Sequence, residues 1–149
     1  MLYKTIIAPH FDYCNVVWGR CNQSLCNKLQ VLQNRAAKII TCTRIYDSSS
    51  QALSELNWKN LDEKLYYNEA VTMFKIVNHD APHYLCKRFE RRETRYNMRN
   101  SDNLKLVKVN TEYKKRSLSY RGAKLWNSLD DNIKSAIDLK YFKQRYLSL

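Results

Sequence analysis

Apolar residues recur along much of this chain every three or four positions, the period of an α-helix with one face turned inward. In SLCNKLQVLQNRAAKII, Leu25, Leu29, Leu32, Ala36 and Ile39 follow at steps of four, three, four and three, so the spacing predicts a helix with that stripe in the core. Asn22 or Ser24 is placed to cap its start. In NLDEKLYYNEAVTMFKIVN the same period carries Leu61, Leu65, Ala70, Met73, Phe74 and Val77. Asn60 can cap that helix, Asn78 can end it, and Pro82 blocks its resumption. Between the two, Ser48-x-x-Gln51 forms a capping box at the start of a short helix. The opening LYKTIIAPHFDYCNVVWG predicts a buried helix bent at Pro9 and stopped at Gly19.

The second half alternates less cleanly. TRYNMRNSDNLKLVKV holds two short extended runs around the polar stretch Asn100 to Asn103, the pattern of a short β-hairpin near 95–110. SLSYRGAKLWNSL spaces Leu118, Leu125 and Leu129 with Trp126 for a helix. Gly122 inside it costs about 1 kcal/mol relative to alanine, which close packing there would explain. DLKYFKQRYLSL ends the chain as an amphipathic helix with Leu139, Phe142 and Tyr146 on one face. The fold class expected is therefore mostly α, a small helical domain with that one hairpin. The expected core includes Trp18, Leu29, Leu32, Ala36, Phe74, Leu125 and Trp126.

Composition sharpens this picture. With two glycines and two prolines in 149 residues, a many-turned β-sandwich or barrel is excluded, and no glycine-rich phosphate loop can be written. The length fits a single domain over 1–149, without linker, low-complexity tract or internal repeat. Charge then divides the chain. Residues 1–80 hold nine Lys/Arg against seven Asp/Glu, and residues 81–149 hold seventeen against seven. The first part is a near-neutral helical half and the second a basic half. No apolar run approaches the length of a membrane span, and the N-terminus lacks the pattern of a secretory signal, so no membrane insertion is expected. An intracellular place, nucleus or cytoplasm, follows, with the five cysteines reduced.

Candidate chemistry is thin. Metal-dependent nucleotidyl transfer needs clustered carboxylates. Asp62-Glu63 falls in the first turn of a predicted helix, where the macrodipole accounts for it. Asp130-Asp131 is the only Asp-Asp pair, and a Tyr-x-Asp-Asp motif would need tyrosine at 128, where Ser128 stands. Cys14, Cys21, Cys26 and Cys42 lack the close pairs of a structural zinc site, and His10 is the best further ligand. His79 and His83 have the spacing of HExxH, but Pro82 and the turn residues around them break the helix that motif requires. No enzyme activity and no cofactor are expected.

The basic stretch remains. From Lys87 to Lys124 thirteen Lys/Arg face four Asp/Glu, with Phe89, Tyr96, Tyr113 and Tyr120 between them. Such a run neutralises phosphates, and aromatic faces can stack on unpaired bases. The candidate nucleic-acid-binding residues are Arg91, Arg92, Arg95, Arg99, Lys114, Lys115, Arg116 and Arg121. For the aromatic residues a place in the core is the plainer expectation.

YKTIIAPHFDYCNVVWG, LQVLQNRAAKIIT and SLSYRGAKLWNSL, in this order, resemble the C-terminal region of LINE-type, jockey-like non-LTR retrotransposon polyproteins. LSELNWKNLDEKL, NHDAPHYL and FKQRYLSL fit the same region, so the resemblance covers essentially the whole chain. Asp130 stands where that family usually has proline. The region corresponds to the thumb and C-terminal extension that follow the reverse-transcriptase palm. The resemblance thus implies a noncatalytic fragment without palm or endonuclease, helping to hold RNA or an RNA–DNA duplex. The competing expectation is a structural module that docks on a polymerase core or on a second copy, without nucleic-acid binding.

Overall fold

The computed structural model describes residues 2–92 and 103–148. It is mostly helical, as the apolar periodicity predicts, and no β-strand forms among the described residues. The chain divides into two compact units, Met1–Tyr66 and Tyr67–Leu149. The division falls inside a helix and not at residue 80, where the charge changes.

The first unit opens with a π-helical turn, Tyr3–Ile7, that runs into α1 (Ala8–Asp12). Pro9 lies in the first turn of α1, where the π-helical turn passes into α-helix, and the helical run is unbroken there. The chain breaks instead at Cys14, whose φ of 50° is left-handed, and resumes as α2 (Asn15–Trp18). This segment is not the buried helix its apolarity predicts. Ile6, Ile7, Tyr13 and Val17 are exposed, and Asn15 and Gly19 are its buried residues. Gly19 does terminate α2. A Cβ there would lie 2.4 Å from Leu65 Cδ2, so glycine is required for close approach and not for its backbone angle.

Asn22 caps α3 (Gln23–Ile40) through Ser24 N–H, and Ser48 caps α4 (Ser49–Glu55) through Ser50 N–H. Ala37, Ala52 and Leu53 form the small core where these helices meet, with Leu56 and Trp58 against it. Two glutamines tie α3 to the following segment. Gln33 Nε2 donates to Lys59 O at 3.1 Å, and Gln30 Oε1 accepts from the first backbone N–H of α5 (Leu61–Val77), that of Leu61, at 2.7 Å. Tyr3 stacks on Trp58 with ring centroids 4.0 Å apart.

The α3 stripe is a correction. The residues α3 buries are Cys26, Gln33 and Ala37, one position round from the stripe of leucines and isoleucine. Leu32 is 52% exposed and Ile39 77%, while Leu29 and Ala36 are half-buried. The physical reason is what each side meets. Alanine lets α4 approach closely, and Gln33 Nε2 meets the Lys59 carbonyl, an acceptor that leucine could not satisfy. Trp18 is also half-buried, its Nε1–H donating to Tyr13 O.

The second unit holds a larger core. Met73, Phe74 and Ile76 of α5 pack with Ala123 and Trp126 of α8 (Leu118–Ser128), with Ile133 of α9 (Asp131–Lys134) and with Phe142 of α10 (Leu139–Leu147). Phe142 is the hub: its ring centroid is 4.5 Å from Phe74, 6.3 Å from Trp126 and 6.1 Å from Tyr146. Phe74 and Trp126 are buried as expected, and Leu125 is half-buried. Gly122 packs closely, since a Cβ would come 2.4 Å from Met73 Sδ. Of two shorter helices, α6 (His83–Cys86) ends just before the basic stretch in sequence and α7 (Glu112–Lys115) lies within it.

Three helices end alike. Beyond α3, α4 and α5, the residues Cys42, Asn57 and His79 take left-handed φ values of 53°, 53° and 61°. Thr43 N–H then reaches Lys38 O, Trp58 N–H reaches Leu53 O, and Asp80 N–H reaches Lys75 O. This is the Schellman closure, which glycine usually makes. A chain with two glycines makes it with other residues.

Candidate nucleic-acid interface

The basic region is built on the second unit's core. Leu104 is buried in that core, and Asn127 of α8 holds its backbone from both sides. Leu104 N–H donates to Asn127 Oδ1 at 2.8 Å, and Asn127 Nδ2 donates to Leu104 O at 3.0 Å. An antiparallel bridge joins Arg91 to Leu104. Arg92 N–H donates to Asn103 O and Lys105 N–H to Glu90 O, each at 2.9 Å. The extended pairing thus begins at Glu90, ahead of the 95–110 expected for the hairpin. Arg95, Arg99, Tyr96 and most of that hairpin's first run lie outside the described residues.

Arg91 and Arg92 are exposed on this paired segment. Lys114 and Lys115 occupy the last turn of α7, and Arg116 follows as its C-cap, all three exposed. Thr111 caps α7 by accepting Lys114 N–H, and Glu112 at the start with lysines at the end complements the macrodipole. Lys115 Nζ lies 2.5 Å from Glu112 Oε1. That hydrogen bond holds the Glu112 carboxyl below its ordinary range and the Lys115 ammonium above its own. Lys115 keeps its charge, but Glu112 partly neutralises it before any ligand arrives.

A cleft of about 380 Å³ opens between these segments. Arg88, Lys114, Ser117 and Ser119 line it with Val107 and Val109. Ser117 stands at the N-cap of α8, yet its hydroxyl donates to Lys114 O at 2.7 Å and makes no cap bond. The N-terminal turn of α8 is thus left without its usual side-chain acceptor beside two cations, an arrangement suited to an anion. Arg88, Ser117 and Ser119 were not among the residues expected from sequence. Arg88 does open the arginine-rich run. Ser117 gave no signal because a serine before a helix reads as a cap, and Ser119 none because it lies within the helix.

Arg121 belongs elsewhere. Its side chain is 15% exposed, and Nε lies 3.4 Å from Oε1 of Glu69, a carboxylate buried on α5. A buried carboxylate requires a cation nearby, so Arg121 is held inward by the fold and is not a free surface charge. Among the interleaved aromatic residues, Phe89 packs against the core, Tyr120 is half-buried and Tyr113 is exposed, 6.0 Å beneath the Arg116 guanidinium.

The remaining chemical candidates lie at helix ends or are free thiols. Asp62 and Glu63 lie in the first turn of α5, and Asp130 and Asp131 open α9, where Asp131 pairs with Lys134 at 3.4 Å. His79 closes α5 in its left-handed position, while His83 begins α6. All five cysteines are free, with Cys21 Sγ 3.6 Å from Cys26 Sγ. Among the described residues no three metal-ligating side chains converge, and no helix is long and apolar enough to cross a membrane. No family model, no curated protein and no solved structure matches this chain.

Proposed function

We propose that this protein is a noncatalytic C-terminal fragment of a non-LTR retrotransposon reverse transcriptase that binds RNA or an RNA–DNA duplex by its phosphate backbone. The observation that carries the reading is the cleft in which Arg88 and Lys114 stand beside two hydroxyls at the open end of α8. Its dimensions admit a phosphate group, and the exposed Arg91, Arg92, Lys115 and Arg116 extend the positive surface available to neighbouring phosphates. The ordered resemblance of the sequence supplies the origin. Nothing in the sequence resembles a base-reading motif, so affinity should come from counterion release and sequence preference should be slight.

Fluorescence anisotropy with labelled single-stranded RNA, single-stranded DNA and an RNA–DNA hybrid, across a salt series, tests the reading. Binding should weaken steeply with salt. Replacing Lys114, Lys115 and Arg116 by alanine should weaken binding to RNA and DNA alike, and each lost phosphate contact should flatten the log–log slope by about 0.7 to 0.9. No binding at low salt, or binding indifferent to salt, overturns it.

A further inference from the structure

The outer face of α3 is apolar and uncovered. Leu32, Ile39 and, in the loop after the helix, Ile45 are exposed, the last at 83%. Two hollows run along this face. One of about 540 Å³ has Val31, Arg35, Ile39 and Ile45 among its walls, and one of about 370 Å³ has Lys28, Val31, Leu32 and Arg35. They share Val31 and Arg35 and so form one groove over about three turns of helix, roughly 18 Å at 1.5 Å per residue.

The charged side chains that line the two hollows, Lys28, Arg35 and Lys38, are all cations. No Asp or Glu occurs between Asp12 and Asp47, and α3 carries Lys28, Arg35 and Lys38. Lys38 Nζ is engaged, donating to Ile45 O at 2.7 Å and Asp47 O at 2.6 Å, which folds the loop into the wall of the groove. Lys28 and Arg35 are left as the exposed cations of the rim.

We infer that the α3 groove is a docking site for an acidic amphipathic helix of a partner protein. Apolar side chains at i, i+3, i+4 and i+7 of such a helix would fill the groove, and flanking Asp or Glu would meet Lys28 and Arg35. A second copy of this chain is a poor occupant. Two-fold pairing of α3 would set these cations against their own kind, in a molecule whose net charge is already +12. A nucleic-acid backbone would satisfy the rim but leave the apolar floor uncovered. This surface lies in the first unit and does not depend on the phosphate-binding reading of the second.

The test uses the full chain and a fluorescein-labelled 18-residue peptide helix with a leucine stripe flanked by glutamates. Its twin carries lysines in place of the glutamates. The acidic peptide should bind, and the basic twin at least about tenfold more weakly, as expected when like charges oppose at a rim. Leu32→Asp and Ile39→Asp alter exposed side chains, so circular dichroism should be unchanged while acidic-peptide affinity falls about tenfold or more. Lys28→Glu with Arg35→Glu should reverse the preference between the peptides. Ile137→Asp, at an exposed position of the other unit, should leave binding unchanged. Equal binding of both peptides, binding of neither, a dimer in sedimentation that Ile39→Asp dissociates, or Ile39→Asp acting only on binding to phosphatidylserine vesicles or RNA would each overturn the inference.

Discussion

The two units of this chain reach stability by different means. In the second, Phe74, Met73, Ile76, Trp126 and Phe142 are almost wholly removed from water, and each large apolar side chain so buried contributes about 1.5–3 kcal/mol. In the first, the centre is two alanines and a leucine, and side-chain hydrogen bonds from Gln30 and Gln33 to the backbone hold the helices together. The first unit buries Leu61 and Leu65 but leaves Val31, Leu32, Ile39 and Ile45 on the surface, whereas the second leaves Arg91, Arg92, Lys114 and Lys115 there. Small inner residues permit close helix approach but bury little area, so a helix packed through alanine has a large apolar face to spare. The ligands proposed for the two surfaces follow this difference: an acidic amphipathic helix for the α3 face, a polyanion for the basic surface.

The contrast should be most visible in truncations. Trp126→Ala or Phe142→Ala should lower stability by about 3–5 kcal/mol in chemical denaturation, whereas Leu32→Ala and Ile39→Ala should change it by less than about 0.5 kcal/mol. A large loss at Ile39 would break the comparison, since it would mean that α3 packs through its stripe after all. Within the basic surface, Arg88→Ala and Lys114→Ala should each flatten the salt dependence of RNA binding by about 0.7 to 0.9 in slope. Lys115→Ala should flatten it less, because Glu112 already engages that lysine.

Smaller effects sharpen the account of the first unit. Gln30→Ala removes the acceptor of the Leu61 N–H and should cost about 1–3 kcal/mol, read from the denaturation midpoint. Cys42→Gly relieves a left-handed side chain and should stabilise by about 1 kcal/mol. Cys26 should report its burial chemically. Burial, followed by the hydrogen bond with Cys21, pushes its pKa from 9.0 to about 11. Iodoacetamide at pH 8 should therefore modify it more slowly than the exposed Cys14 and Cys42 in a peptide map. The folded chain holds the Cys26 proton where the unfolded chain releases it, so this group's contribution to stability should fall as pH rises from 9 to 11 and stay constant below that window.

What the sequence determined alone was the existence and ends of the main helices. Periodicity over many residues marks a helix whichever way it faces, and caps such as Asn22 and Ser48 act on neighbouring residues. The close packing at Gly122 was legible for a similar reason, because glycine inside a helix is costly without one. Orientation was decided by tertiary structure. Which side of α3 faces inward depends on Gln33 meeting Lys59 and Ala37 meeting Ala52, partners that no local pattern names. Arg121 reads as one more cation of a basic run until folding sets it against Glu69, more than fifty residues away. Arg88 and Lys114 share a cleft only because Asn127 pins Leu104 and the chain turns back past it. Helix formation depends on local residues and the period of the apolar pattern, whereas burial and charge pairing depend on which distant residues the fold brings within a few ångströms.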